Sequence, residues 1–237
     1  MHYKKIILGI KKDLIKNADE KYRIGSANFF KEHIKPYGVR IPQVRKIADE
    51  YFARLKDELT FNEFIELSEQ LLKTGWFEDS VIAFQFLSKL KKNFNDKTFK
   101  IFESWLSKYI SNWAHCDFLC TDLIDHFIQK NESYAKRLYG WTVSKNRWLR
   151  RASMVCFVRS AKKGLYLDVI LKTAKTLKSD KEDLVLKGAG WVLREAAKKH
   201  RKEVYDFLIR EKQSMGRVML RYAIEHFPKD MKNKVMA

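Results

Sequence analysis

The chain has 237 residues, and its 48 Lys+Arg against 29 Asp+Glu give a formal charge of +19. At 46% hydrophobic and 14% aromatic it has ample material for a core, which excludes a disordered chain, while nine Gly and three Pro are too few for the many turns of an all-β protein. No apolar run approaches the ~18 residues that span a bilayer, and the lysine-flanked apolar centre of the first twelve residues is too short for a signal peptide.

Taken in chain order, apolar residues recur at helical spacing in 42–55, 61–74, 76–91, 97–110, 113–129, 131–143, 147–162, 165–177, 182–199, 202–212 and 215–226. Breaks fall at 93–96, 111–113, 144–146, 162–164 and 178–181, which hold the Asn, Ser, Asp and Gly that cap or end helices. No linker is long enough, or rich enough in Gly or Pro, to divide the chain, so a single domain over 1–237 is expected. Three cysteines without a CxxC pair point to reduced thiols and a cytoplasmic, nucleoid-associated protein.

Helix-opening segments lie near residues 76, 112, 146, 180 and 214, a period of 34–36. A small residue followed by an apolar turn recurs in register at Ala83, Ala152, Ala189 and Ala223, where it would let paired helices approach closely. Two helices per unit of that length predict an all-α fold, a curved α-solenoid with a concave side open to an extended ligand. An irregular helical bundle is the alternative.

Charge is uneven along the chain. Residues 1–144 carry 24 Lys+Arg against 19 Asp+Glu, whereas 145–237 carry 24 against 10. Such asymmetry points to a polyanion, with nucleic acid ahead of an anionic membrane, unless it is merely a solvated face. A membrane role would need a basic amphipathic helix with exposed apolar residues, which the sequence pattern does not show, so no membrane partner is expected.

Three constellations could carry chemistry. In 182–199, Leu186, Ala189, Gly190, Leu193, Ala196 and Ala197 form an apolar stripe, while Lys187, Trp191, Arg194 and Lys198 stack on another face. That tryptophan is an exposed platform with phosphate-binding neighbours, or it is shielded by the stems of the cations. In 147–162, Trp148, Ala152, Val155 and Cys156 make the stripe, with Arg147, Arg150 and Arg151 pointing elsewhere. Arg150 matches Lys187 and Arg221 in the repeat register, so one position would line a basic groove with cations from three units. Finally, Ser111 or Asn112 caps a helix that sets Trp113 and Asp117 one turn apart. Physically, Asp117 reads first as an acid favoured by the helix dipole. Cys116 falls on the buried face with Leu119, Cys120, Leu123 and Phe127, and His115 is expected partly exposed and not a metal ligand. Loops of the GxxxxGK[ST] type and GxSxG elbows are absent, which argues against nucleotide hydrolysis and serine-hydrolase chemistry.

These residues resemble the AlkD-like DNA alkylation repair enzymes, DNA glycosylases built of HEAT-like repeats. The likeness covers most of the chain: Tyr37-Gly38-Val39-Arg40-Ile41-Pro42 with Arg45, Trp113-x-x-x-Asp117, Trp148-Leu149-x-Arg151-Ala152, and Gly190-Trp191-Val192-Leu193-Arg194-Glu195. The resemblance implies removal of N3- or N7-alkylated purines from duplex DNA by a monomer without metal or cofactor. It makes Trp113, Asp117 and Trp191 the catalytic cluster, with Arg151 and Arg194 holding the DNA backbone. It also implies no flipping of the damaged base into a pocket. The chain departs from the pattern at Phe29 and Arg40, where a tyrosine and a glutamine near the DNA are expected.

The chemistry suits these residues. An N3- or N7-alkylated purine is already cationic and leaves as a neutral base, so the acid that ordinary glycoside hydrolysis requires is dispensable. Asp117 alone would stabilise oxocarbenium charge and orient water, and a flat cleft of Trp113 and Trp191 would attract the cation through the ring faces. The expected partner is therefore alkylated double-stranded DNA, with the basic set Arg40, Arg147, Arg150, Arg151, Lys187, Arg194, Lys198 and Arg221 gripping it. A non-catalytic relative that binds distorted or branched DNA is the alternative, and a protein-binding helical scaffold is a third class.

Overall fold

The computed structural model describes residues 2–237. Among them the chain is all-α, with one isolated bridge between Lys35 and Trp76 as its only extended pairing. It resolves into two compact units, residues up to Ile101 with Lys108–Phe118, and Phe102–Ser107 with the segment from Leu119 onward.

The first unit holds α1 (His2–Lys16), α2 (Glu20–Phe29), α3 (Ile41–Leu55), α4 (Phe61–Lys73), α5 (Phe77–Ser88), the first half of α6 (Asp96–Lys108) and α7 (Trp113–Phe118). Its core is aromatic: Phe64, Phe84, Phe86 and Phe99 are fully buried. Thr60 and Glu63 close a reciprocal capping box at the start of α4. The turn before α3 explains its sequence. Gly38 sits at φ 96°, and a Cβ there would lie 2.7 Å from the Asp19 carbonyl oxygen, so only glycine fits. Pro42 then occupies the first turn of α3, where no helical donor is lost.

The spacing does not announce α1 or α2, and both are present. In α1, Ile6, Ile10 and Leu14 enter the core, while Leu8 and Ile15 are exposed among Lys4, Lys5, Lys11, Lys12 and Lys16. A basic helix face with exposed apolar residues therefore exists, contrary to the sequence reading, because α1 buries only one narrow stripe. No described helix is long and apolar enough to cross a membrane.

In the second unit, a π-helical turn (Leu119–Ile124) leads into α8 (Asp125–Lys130), α9 (Ser133–Gly140), α10 (Arg147–Val155), α11 (Val158–Lys162), α12 (Leu167–Leu177), α13 (Asp183–Ala196), α14 (Arg201–Glu211), α15 (Arg217–Ala223) and α16 (Lys229–Met236). The expected helix over 113–129 is thus three segments, and the wider π turn keeps Leu119, Cys120, Leu123 and Ile124 all buried. The helix expected over 147–162 is broken at Cys156–Phe157, where the Phe157 N–H bonds back to Met154 at 2.8 Å.

The repeat is real in spacing. Helices α5, α7, α10, α13 and α15 open at Phe77, Trp113, Arg147, Asp183 and Arg217, and Ala83, Ala152, Ala189 and Ala223 are all fully buried. Close approach is sharpest at Gly190, where a Cβ would meet the Tyr222 Cβ at 2.5 Å and the Met219 carbonyl at 2.7 Å across the α13–α15 contact. All three cysteines are buried.

Candidate functional site

In the first unit, the local sequence fixes α7 from its first residue. The Asn112 side chain accepts the His115 N–H at 3.0 Å, capping the helix, and its amide donates to His115 Nδ1 at 3.0 Å. His115 Nε2 in turn donates to the Phe77 carbonyl at 3.1 Å. The histidine is buried rather than partly exposed, since its ring is stacked on Phe77 at 4.5 Å, and burial brings its pKa down to about 4. Trp113 and Asp117, both half-buried, follow one turn apart on α7.

Trp113 is one wall of a cavity of about 480 Å³ that lies wholly within the first unit. Phe30 stacks on Trp113 with centroids 5.2 Å apart and planes at 19°, and Phe29 meets its edge at 6.0 Å. Phe77, His115, Phe118 and Tyr22 supply further rings. The flat aromatic surface expected at Trp113 is therefore a walled cavity in this unit, because α2, absent from the sequence reading, brings Phe29 and Phe30 against α7. Phe29 is itself 72% exposed.

The cavity floor is held by Glu78. This buried carboxylate accepts the backbone N–H groups of Tyr37, Gly38 and Val39 at 2.8, 2.9 and 3.0 Å, locking the glycine turn to α5. Arg40 follows that turn with its guanidinium exposed, 4.6 Å from the Tyr22 ring centroid and 4.0 Å from Asp19. Arg45 lies over the Phe118 ring at 5.7 Å.

The second unit carries Trp191 and most of the expected cations, and it divides them into two groups. Trp191, Lys187 and Arg194 are half-exposed and Lys198 is exposed, on the side of α13 away from the buried stripe. The cations there are not a bare cluster. Arg194 pairs with Glu225 and lies 3.6 Å from the buried Glu195, whose carboxylate also takes the Lys198 ammonium at 2.6 Å. Burial pushes the Glu195 carboxyl up, but Lys198, Lys162 and Arg194 outweigh it and hold it below its ordinary value.

On α10 the expectation needs correcting. Arg151 does not point away from the stripe: it is buried, donating to the Leu184 carbonyl at the start of α13, in a space that Gly188 leaves open. Arg150 is spent on structure as well. Its guanidinium grips Asp180 through Nε at 2.6 Å and a second nitrogen at 3.2 Å, and donates to the Ser144 and Lys145 carbonyls at 2.8 and 3.1 Å. Asp180 accepts the Glu182 N–H at 2.9 Å, so one arginine ties two inter-helix loops together. Arg147 stacks on Trp148 at 4.6 Å and pairs with Glu182 at 3.3 Å. Of the register Arg150, Lys187 and Arg221, only Arg221 is exposed, the other two being half-buried.

The family model for the DNA alkylation repair enzymes matches residues 10–227. The chain belongs to that family. No curated protein matches it in sequence. Among solved structures, a predicted DNA alkylation repair enzyme from Enterococcus faecalis is similar at TM-score 0.78 and 12% identity, over 90% of this chain and 98% of that one. The AlkD2 protein of Streptococcus mutans is similar at 0.58 and 17% identity, over 79% and 90% of the two chains. The smu.31 protein of the same organism is similar at 0.59 and 17%, over 79% and 98%. These likenesses establish the helical-repeat fold, and family membership assigns the chain to DNA alkylation repair, with DNA as its partner.

Proposed function

We propose that this family member is a glycosylase that hydrolyses the N-glycosidic bond of N3- or N7-alkylated purines in duplex DNA, acting as a monomer and without metal. The observation that carries this reading is the pairing on α7 of one carboxylate, Asp117, with the Trp113 ring one turn before it, in a chain of charge +19. The lesion brings its own positive charge, so a carboxylate that stabilises the developing oxocarbenium ion and orients water is sufficient, and the ring face of Trp113 favours the cationic nucleotide over neutral ones, with Trp191 of the second unit kept as the further aromatic residue that the resemblance implies. Arg40, Lys187 and Arg221 are the residues proposed to meet phosphate, with Arg147, Arg194 and Lys198 joining them only on leaving Glu182, Glu225 and Glu195.

The test is release of free 7-methylguanine from methylated duplex DNA in single-turnover assays. Asp117→Asn is expected to slow excision by about 10²–10³-fold while leaving DNA affinity nearly unchanged, since it keeps shape and removes charge. Wild-type rates in that variant would return Asp117 to the role of a helix-end acid. Tight binding to branched or distorted DNA with no base released from any alkylated substrate would favour the non-catalytic reading.

A further inference from the structure

We propose that the outer face of α1 docks this protein on an anionic lipid surface, with Leu8 and Ile15 entering the headgroup layer and the lysines around them meeting lipid phosphate. The proposal does not depend on the glycosylase reading. Successive side chains leave a helix about 100° apart, so the buried Ile6, Ile10 and Leu14 turn toward α3 and α4. Leu8 and Ile15, seven residues apart, share a line on the opposite side, where they are 56% and 54% exposed. Lys4 and Lys11 run along one flank of that line and Lys5, Lys12 and Lys16 along the other, all five exposed. A single exposed aliphatic residue is ordinary, but two in one line between two rows of cations make a face with a pattern of its own.

The charge of this face is uncompensated. The one acid of α1, Asp13, is half-buried and turned aside, accepting the Tyr51 hydroxyl at 2.8 Å. None of the five lysines forms an ion pair among the described residues, whereas Arg150, Arg194 and Lys198 of the second unit are held by Asp180, Glu225 and Glu195. Five free ammonium groups call for an anionic surface, and phosphate is common to nucleic acid and to lipid. The apolar line decides between them. Against a DNA backbone, Leu8 and Ile15 would face charged phosphates and water and gain nothing. A bilayer places hydrocarbon directly beneath its phosphates, so the two aliphatic side chains sink while the lysine stems reach back to the headgroups. As no described helix is long and apolar enough to cross a membrane, α1 would lie along the surface.

Co-sedimentation of the full chain with vesicles tests this, comparing phosphatidylcholine alone with phosphatidylcholine containing phosphatidylglycerol. The chain is expected to sediment with the anionic vesicles only. Leu8→Ser combined with Ile15→Ser keeps every charge, and should weaken that binding about tenfold with the melting temperature and the affinity for duplex DNA unchanged. Lys5→Gln combined with Lys12→Gln should weaken it roughly thirtyfold, and serves if the first variant fails to fold. Arg221→Gln, on the exposed side of α15, should leave vesicle binding as it was. No sedimentation with anionic vesicles would leave α1 a solvated face and overturn the proposal. Binding indifferent to Leu8 and Ile15, or reduced as much by Arg221→Gln as by one α1 lysine, would trace it to net charge alone. Loss of duplex affinity in the α1 lysine variant, with vesicle binding intact, would assign the face to DNA instead.

Discussion

The two compact units handle charge in opposite ways. In the first, the feature of interest is a cavity whose lining has no Lys or Arg, built from rings and a single saturated carboxylate. In the second, cations abound, yet Arg150, Arg151 and Arg194 are committed to Asp180, the Leu184 carbonyl and Glu225. Net charge along a sequence thus overstates what is available to a polyanion: part of the surplus beyond residue 144 holds one repeat to the next. In the proposed function, the second unit meets DNA with the cations that repeat packing leaves over.

The largest effect that sharpens this contrast is expected from buried ionisable groups in the first unit. Asp79 is buried on α5, accepts the Thr74 hydroxyl at 2.6 Å and leaves its second oxygen without a hydrogen bond, and burial pushes its pKa up to about 6. The folded state therefore takes up the proton before the unfolded chain does. Stability from this group is gained as pH falls from about 6 toward the ordinary carboxylate value, and it is absent at neutral pH. His115 has the opposite sign: with its pKa lowered to about 4, the unfolded state protonates first and stability is lost between about 6.5 and 4. The two nearly cancel in the native chain. Asp79→Asn keeps the shape and removes one side of the balance. Urea melts should then show the variant losing about 2–3 kcal/mol relative to wild type between pH 7.5 and pH 4. A difference independent of pH would mean that the Asp79 carboxyl titrates alike in the folded and unfolded chain, so that burial does not raise it.

The second unit should instead be most sensitive to backbone approach. Gly190→Ala places a methyl group against Tyr222 and the Met219 carbonyl, and is expected to cost about 1–3 kcal/mol. For a chain of this size that is a fall of roughly 2–4 °C in melting temperature per kcal/mol, readable by calorimetry. An unchanged melting temperature would mean that α13 and α15 separate freely.

What the sequence made legible divides along physical lines. Periodicity found α3 through α15, because each buries a stripe of side chains, and the loop residues Asn112 and Asn146 were readable as caps because capping is local. α2 was missed since none of its residues is buried, so it has no stripe to find. Yet α2 delivers Phe29 and Phe30 to Trp113, and with it the cavity was missed. Arg150 looked like a surface cation because its partner, Asp180, lies thirty residues away in a loop. Arg151 looked the same because the glycine that makes room for it, Gly188, is on another helix. Spacing along one helix shows which face a side chain leaves by, and says nothing of what waits there.

The smallest predicted effect separates the cations that packing consumes from those it leaves. Arg221 is exposed on α15 and forms no ion pair among the described residues, so it is a candidate for phosphate. Arg150 occupies the same repeat position but is sunk against Asp180, whose side chain is only 7% exposed. If binding to undamaged duplex is governed by phosphate contacts, the slope of log affinity against log salt counts them. Arg221→Ala should lower that slope by about one and leave the melting temperature within error. Arg150→Ala should leave the slope unchanged and lower the melting temperature, since it strands a buried carboxylate and frees two loop carbonyls. Dropping the slope with Arg150→Ala, at constant stability, would show that the arginine leaves Asp180 for DNA. The ion pair would then be a resting state of the interface rather than a staple between repeats.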